Sequence, residues 1–240
     1  MLNLLKARLR HGYQAIPNPL KATVHEAFPG VPELSETANF ALLNGVCPVQ
    51  AFTDQGLDLG RCIFCGACSR KYPEMIKFRN DFKIAVDSRD KLIIAPGQKD
   101  MPRIESRLPR RFSRSLALRS VSAGGCNACE LELAASNNVN FDISRYGIEI
   151  VASPRHADGL ILTGPVGHNM AEALALTWEA ISAPKFLILC GSCAISGGMF
   201  ADGSLDRSWL DTQTPILFIP GCPVHPLSIV QGLASLMGFK

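Results

Sequence analysis

The placing of the cysteines constrains this chain more than any other feature. Nine occur in 240 residues, and they are grouped or set beside prolines rather than scattered. "RCIFCGACSRKYPE" carries Cys62, Cys65 and Cys68 at a step of three, and "GVCPVQAF" puts Cys47 before Pro48. "GGCNACELEL" holds Cys126 and Cys129, "LCGSCAISGG" holds Cys190 and Cys193, and "IPGCPVHP" puts Cys222 before Pro223. Such spacing is unlike a disulfide framework and reads as thiolate ligands in a reducing compartment. The 47% apolar composition is ample for a packed core, so loops bearing these cysteines can converge over a hydrophobic interior.

The triplet begins like a bacterial ferredoxin and then departs from it, because Tyr72 stands before Pro73 where the fourth cysteine of such a run would be. In two-cluster ferredoxins each triplet holds three corners of one cluster, and the Cys-Pro ending that run serves the other cluster. The fourth ligand for Cys62, Cys65 and Cys68 is therefore expected from an earlier Cys-Pro, which is Cys47. No triplet precedes Cys47, so the missing triplet and the Tyr72 replacement concern the same lost cluster. Structural zinc also takes four thiolates and is the alternative here, although zinc motifs seldom use three cysteines at this spacing.

Charge divides the chain. Residues 1–120 hold 19 Lys and Arg against 11 Asp and Glu, whereas residues 121–240 hold 5 against 10. Two modules with different neighbours follow. Between them "PGQKDMPRIESRLPRRFSRS", residues 96–115, reads as a basic linker along a partner's surface. No nucleic-acid reading motif accompanies it, and nucleic acid is not an expected partner. At the start, Leu2, Leu5 and Leu9 alternate with Lys6, Arg8 and Arg10 at helical spacing, fit for an anionic membrane surface or another subunit. That start lacks the apolar core of a secretory signal, and no segment offers a membrane span, so a soluble or peripheral chain is expected.

The second half has strand-like runs at 115–121, 147–153, 159–164, 185–191 and 215–221, with helical stretches such as "NMAEALALTWEAI" and "PLSIVQGLASLMGF" after them. This alternation predicts a doubly wound parallel sheet, whose ligand site lies off the carboxyl ends of the strands. Cys126 and Cys129, Cys193, and Cys222 follow the first, fourth and fifth runs, so three loops could converge on one metal centre. Cys190 ends an apolar strand and reads as a core cysteine.

"GGCNACELEL", "SPRHADGLILTGPV", "GSCAISGG" and "IPGCPVHP", in this order over residues 112–238, resemble the small subunit of membrane-bound, energy-converting nickel-iron hydrogenases of the formate hydrogenlyase kind. The 20 kDa subunit of complex I is similar but typically has adjacent cysteines where this chain has Cys126 and Cys129. The resemblance implies an α/β chain: a ferredoxin-like single-cluster module at 1–95, the basic linker at 96–115, and a flavodoxin-like domain at 116–240. It implies a 4Fe-4S cluster on Cys126, Cys129, Cys193 and Cys222, hence two 4Fe-4S clusters with that of the N-terminal module. It further implies a hydrogenase-type large subunit, membrane ion-translocating subunits, a donor of the ferredoxin or formate dehydrogenase type, and a peripheral place on the cytoplasmic side of the membrane. A complex I-like oxidoreductase subunit without nickel-iron, and a zinc-stabilised scaffold, stay open as alternatives.

Three further residues near these motifs invite roles. Glu130 and Glu132 follow Cys129 at a helix start, where the dipole favours negative charge. Glu132 is the candidate proton carrier toward the partner's active site. His225 in "CPVHP" is expected to cap or pack rather than move protons, and His156 to fix a loop by hydrogen bonding.

Overall fold

The computed structural model describes residues 2–12, 15–105 and 107–239. The first element, α1 (Leu2–His11), is exposed along its whole length, its leucines included, and Gly12 ends it with a positive φ and an N–H donated to the Arg8 carbonyl.

Residues 32–94 form two small antiparallel sheets around two short helices. β1 (Pro32–Leu34) leads to α2 (Phe40–Asn44), capped by the Asn39 side chain. The hairpin β2 (Phe52–Thr53) and β3 (Gly56–Asp58) follows, then α3 (Ala67–Lys71), β4 (Ile76–Phe78) and β5 (Ile93–Ile94). β1 pairs with β4, and β5 adds to β3. Chain order thus repeats itself: α2 runs into Cys47-Pro48, and α3 runs into Tyr72-Pro73.

The second half is a five-stranded sheet. Its elements are β6 (Leu116–Ser122), α4 (Ala128–Ala135), β7 (Ile148–Ile150), β8 (Gly159–Thr163), α5 (His168–Glu179), β9 (Phe186–Cys190), α6 (Ser192–Ser196), α7 (Ser208–Asp211), β10 (Leu217–Ile219) and α8 (Pro226–Met237). The order is β10-β9-β8-β6-β7 and every pair is parallel. Counted within the sheet this is 2-1-3-4-5, the flavodoxin-like order, with its switch point between β6 and β8. β8 is buried at every residue, as a central parallel strand covered on both faces must be. α8 buries ten of its residues against β10 and the sheet's flank, which makes it the main cover of that face.

The halves are joined by more than chain connectivity. Val86 forms an antiparallel bridge with Phe218 in β10, with N–H···O distances of 3.0 and 2.8 Å, so a strap from the first half lies along the sheet edge. The Ser228 hydroxyl of α8 donates to the Phe82 carbonyl at 2.7 Å. Residues 96–115 run along this chain's own sheet domain: Ile104, Leu108 and Phe112 are buried, and the Leu108 N–H bonds the Leu236 carbonyl. Phe112 meets Phe186 edge-on at 5.1 Å. Apolar residues at intervals of four within a basic stretch account for this, with Arg110 and Arg111 left exposed.

Candidate functional site

Three loops at the carboxyl ends of the sheet bring Cys126, Cys129, Cys193 and Cys222 together. β6 delivers Cys126 and Cys129 around Asn127, which takes the left-handed conformation (φ 70°). Asparagine is one of the few residues besides glycine that take this conformation readily, which suits it to the turn between the two cysteines. β9 passes through Gly191 into α6, which carries Cys193, and β10 delivers Cys222 through Gly221. A side chain at Gly191 would be strained, since its φ is +97°, and its Cβ would stand 2.7 Å from the Cys129 sulfur, which would have to move.

These thiols feel one another. Burial pushes Cys129 up to about 12, with the charges of Cys193 and Cys222 adding and the Val224 N–H opposing. Burial pushes Cys193 up to about 11, with Cys222 and Cys126 adding and the Met199 N–H opposing. Cys222 is raised by burial, then by Cys126 and by Cys65 of the first half.

Cys47, Cys62, Cys65 and Cys68 form a second such group. Cys47 follows α2, and its sulfur accepts the Ala51 N–H at 3.3 Å; the Cys62 sulfur accepts the Phe64 N–H at the same distance. Phe64 (φ 53°) and Gly66 (φ 68°) take left-handed conformations that turn the chain within the triplet. Burial pushes the Cys62 thiol far up, opposed by the Phe64 N–H and reinforced by Cys68, Cys47 and Cys65. Burial also raises Cys68, opposed by the Ser69 N–H and reinforced by Cys47 and Cys65. Tyr72 occupies the end of α3 that corresponds to Cys47 at the end of α2; its N–H bonds the Cys68 carbonyl and Lys71 lies over its ring.

Asp58 fastens the base of this loop. It is 4% exposed, accepts from the Gly60 N–H at 2.8 Å, and pairs in two-pronged fashion with Arg89 at 2.8 and 2.5 Å. Its carbonyl accepts the N–H groups of Arg61 and Cys62. Sequence reasoning passed over Asp58, Ser192 and Ser196. The only signal for the serines was their position either side of Cys193 in "GSCAISGG".

A cavity of about 250 Å³ opens where the two groups adjoin, lined among others by Phe28, Phe64, Glu132, Cys222 and His225. Burial raises the Glu132 carboxyl above its ordinary range. Glu130 is held differently, accepting the Thr163 hydroxyl at 2.7 Å. His225 caps α8, its Nδ1 accepting the Leu227 N–H at 3.1 Å, and burial lowers its pKa. Its ring packs edge-on against Phe28 and Phe141. A neutral capping role matches this geometry. Cys190 is wholly buried at the end of β9, where burial pushes its thiol well up. His156 is exposed, and it is its backbone N–H that bonds, to the Ser153 carbonyl.

Coupled thiols raised by burial, Cys62 and Cys68 in one group and Cys129, Cys193 and Cys222 in the other, do not ionise together readily unless positive charge joins them, while Cys65 and Cys126 stand exposed at the edge of their groups. Backbone N–H groups at Cys62, Cys68, Cys129 and Cys193 oppose the rise that burial causes, the Ala51 N–H reaches the Cys47 sulfur, and donors to sulfur of this sort tune iron-sulfur centres. Both donor sets therefore suit a sulfur-liganded cluster. Among the described residues, no three His, Cys, Asp or Glu side chains stand close enough to hold one metal ion.

Comparison with known proteins agrees with the sheet half. Residues 126–236 match the model of the family described as NADH ubiquinone oxidoreductase, 20 Kd subunit, a span that begins at Cys126 and contains Cys222. Formate hydrogenlyase subunit 7 of Escherichia coli is 38% identical over 56% of this chain, which spans 53% of that relative's length. A probable membrane-bound hydrogenase subunit of Pyrococcus furiosus is 36% identical over 55% of this chain and 81% of its own length. One of the NADH-quinone oxidoreductase subunits of Clostridium beijerinckii is 38% identical over 47% of this chain and 68% of its own length. With the flavodoxin-like strand order and the cysteine-bearing loops in the same span, the chain belongs to the NADH ubiquinone oxidoreductase 20 Kd subunit family.

Proposed function

We propose that this chain is the electron-transfer subunit of a membrane-bound, energy-converting nickel-iron hydrogenase. It would relay electrons through two 4Fe-4S clusters to or from a catalytic large subunit that reduces protons or oxidises hydrogen. The proposed modules are the ferredoxin-like residues 1–95, the basic connection 96–115 and the flavodoxin-like residues 116–240. The observation that carries the reading is the pair of four-cysteine groups, adjoining at Cys65 and Cys222.

When bound, a four-iron cluster supplies a one-electron carrier at each site. Cys47, Cys62, Cys65 and Cys68 would hold one, and Cys126, Cys129, Cys193 and Cys222 the other. Backbone N–H groups would support the ligand sulfurs, and Phe28, Phe64 and Ile84 line the cavity beside Cys222. Glu132 offers a carboxyl with raised proton affinity beside Cys222, the candidate carrier for protons exchanged with the large subunit. Among the described residues no helix is long and apolar enough to cross a membrane. Attachment to ion-translocating subunits, on the cytoplasmic side, is proposed to be through contacts with them. A ferredoxin or formate dehydrogenase-type protein is the proposed donor.

A complex I-like oxidoreductase without nickel-iron is the second reading, favoured by the likeness to the Clostridium quinone oxidoreductase. The purified native complex separates the two. Hydrogen evolution from reduced viologen supports the first; NADH or ferredoxin oxidation by quinone with no hydrogen production supports the second.

A further inference from the structure

Ser192 has no part in holding either cysteine group, yet it is wholly buried where they meet. Its hydroxyl lies 2.7 Å from the Cys62 carbonyl and 3.1 Å from the Gly221 carbonyl. A serine has one proton to donate, and the Gly221 oxygen is already served by the Ser192 N–H at 2.9 Å. The hydroxyl proton therefore belongs to the Cys62 carbonyl. One residue thus ties three loops: its own, which carries Cys193; that of Cys222, through Gly221; and that of Cys62 in the other half, 130 positions earlier. One turn further along α6, the Ser196 hydroxyl donates to the Gly60 carbonyl at 2.8 Å, and Gly60 also gives its N–H to Asp58. Both bonds cross between the halves, and both land on the backbone of the loop that begins the triplet. Within the sheet domain the same hydroxyls have only the longer contacts, Ser192 to the Gly221 carbonyl and Ser196 to the Ser192 carbonyl, each at 3.1 Å, so the shorter bonds are the ones that cross. Their effect falls on how the two cysteine groups stand relative to each other.

We propose that Ser192, seconded by Ser196, is a positioning residue that fixes the separation of the two cluster sites, so that one electron passes directly between them across the Cys65–Cys222 junction. This rests on the two-cluster reading above. The step is simple in balance: one site loses an electron, the other gains it, and no proton or bond is exchanged within this chain. The carbonyl bonds matter because transfer between fixed centres depends steeply on their spacing, and a buried hydrogen bond between backbone segments holds spacing more firmly than exposed contacts.

The test uses the anaerobically purified full chain and its Ser192→Ala variant. In the parent, both reduced centres should be present and their electron paramagnetic resonance signals should show mutual spin coupling. In Ser192→Ala, iron content and both individual signals should persist, the coupling should weaken, and the inter-site transfer rate after flash reduction should fall. Ser192→Thr, which keeps the hydroxyl, should restore coupling. Unchanged coupling and rate in Ser192→Ala overturn the proposal, and so does loss of either cluster, which would make Ser192 a support of binding rather than of spacing. If Ser192→Ala does not accumulate folded, Ser196→Ala carries the test, with a smaller loss of coupling expected and full coupling refuting it. Only one cluster in the parent would instead sink the two-cluster reading and, with it, this one.

Discussion

Removing the Asp58 carboxylate should loosen the N-terminal cysteine loop and lower stability by an amount the structure bounds. The group is buried, takes two hydrogen bonds from Arg89 and one from the Gly60 N–H, and has Arg61 at 3.8 Å as a weaker neighbour. Breaking a buried ion pair by deleting one partner costs about 3–5 kcal/mol, mostly because the surviving charge is stranded. Here the Arg89 side chain is 39% exposed, so the freed guanidinium regains water and the lower end applies. The orphaned Gly60 N–H adds about 1 kcal/mol. Asp58→Ala should therefore cost about 3–4 kcal/mol and Asp58→Asn about 2–3 kcal/mol, because the amide oxygen can still accept from Gly60 while Arg89 loses its countercharge in both. Urea unfolding of the anaerobic protein at pH 7, followed by far-ultraviolet circular dichroism, measures both. A loss below about 1 kcal/mol for Asp58→Ala would show that the Arg89 pair contributes as little as a surface ion pair, against the reasoning from burial.

Other substitutions probe the ligand scheme and the helix cap. Cys47→Ser should disturb the N-terminal cluster signal although Cys47 lies well upstream of the triplet, while Tyr72→Phe should leave it intact; the opposite pattern would mean the ligands are paired wrongly. Gly191→Ala should perturb the sheet-domain cluster and leave the N-terminal signal alone, since its methyl would press on the Cys129 sulfur; an unperturbed spectrum would contradict the close approach. His225 has its pKa lowered by burial, so its contribution to stability is present above the ordinary value of 6.5 and is lost as pH falls through the lower folded value. His225→Asn offers a capping oxygen in place of Nδ1 and should flatten stability across that window in urea titrations at stepped pH; an unchanged slope would remove His225 as its source.

The strands of the sheet domain were legible because each is an apolar run bounded by turn residues, and β6, β8 and β9 lie within a residue or so of the expected runs. Helices α5 and α8 were equally plain from their periodicity. The parallel, doubly wound class followed from the alternation, and loops at the carboxyl ends followed from that class. What the chain did not disclose was contact between distant segments. Nothing local distinguishes a serine whose hydroxyl reaches 130 residues back from one facing solvent, so Ser192 was passed over although its neighbour Cys193 was not. Residues 96–115 misled in a related way: prolines and arginines suggested a partner's surface, whereas Leu108 and Phe112 dock on the chain's own α8 and sheet. Asp58 was passed over because its partner Arg89 lies 31 residues along the chain. The identities and spacings of the cysteines were visible at once; the adjoining of Cys65 and Cys222 required the fold.

The central claim is that this chain carries two clusters on two separate sets of four cysteines. The most direct measurement is iron and acid-labile sulfide on the anaerobically purified chain, alongside its Cys62→Ser and Cys222→Ser variants, each checked by electron paramagnetic resonance after reduction. The account predicts about eight iron atoms per parent chain, from four at each site, with each variant losing a different one of two signals. About four iron atoms in the parent, or both substitutions abolishing the same single signal, would contradict it.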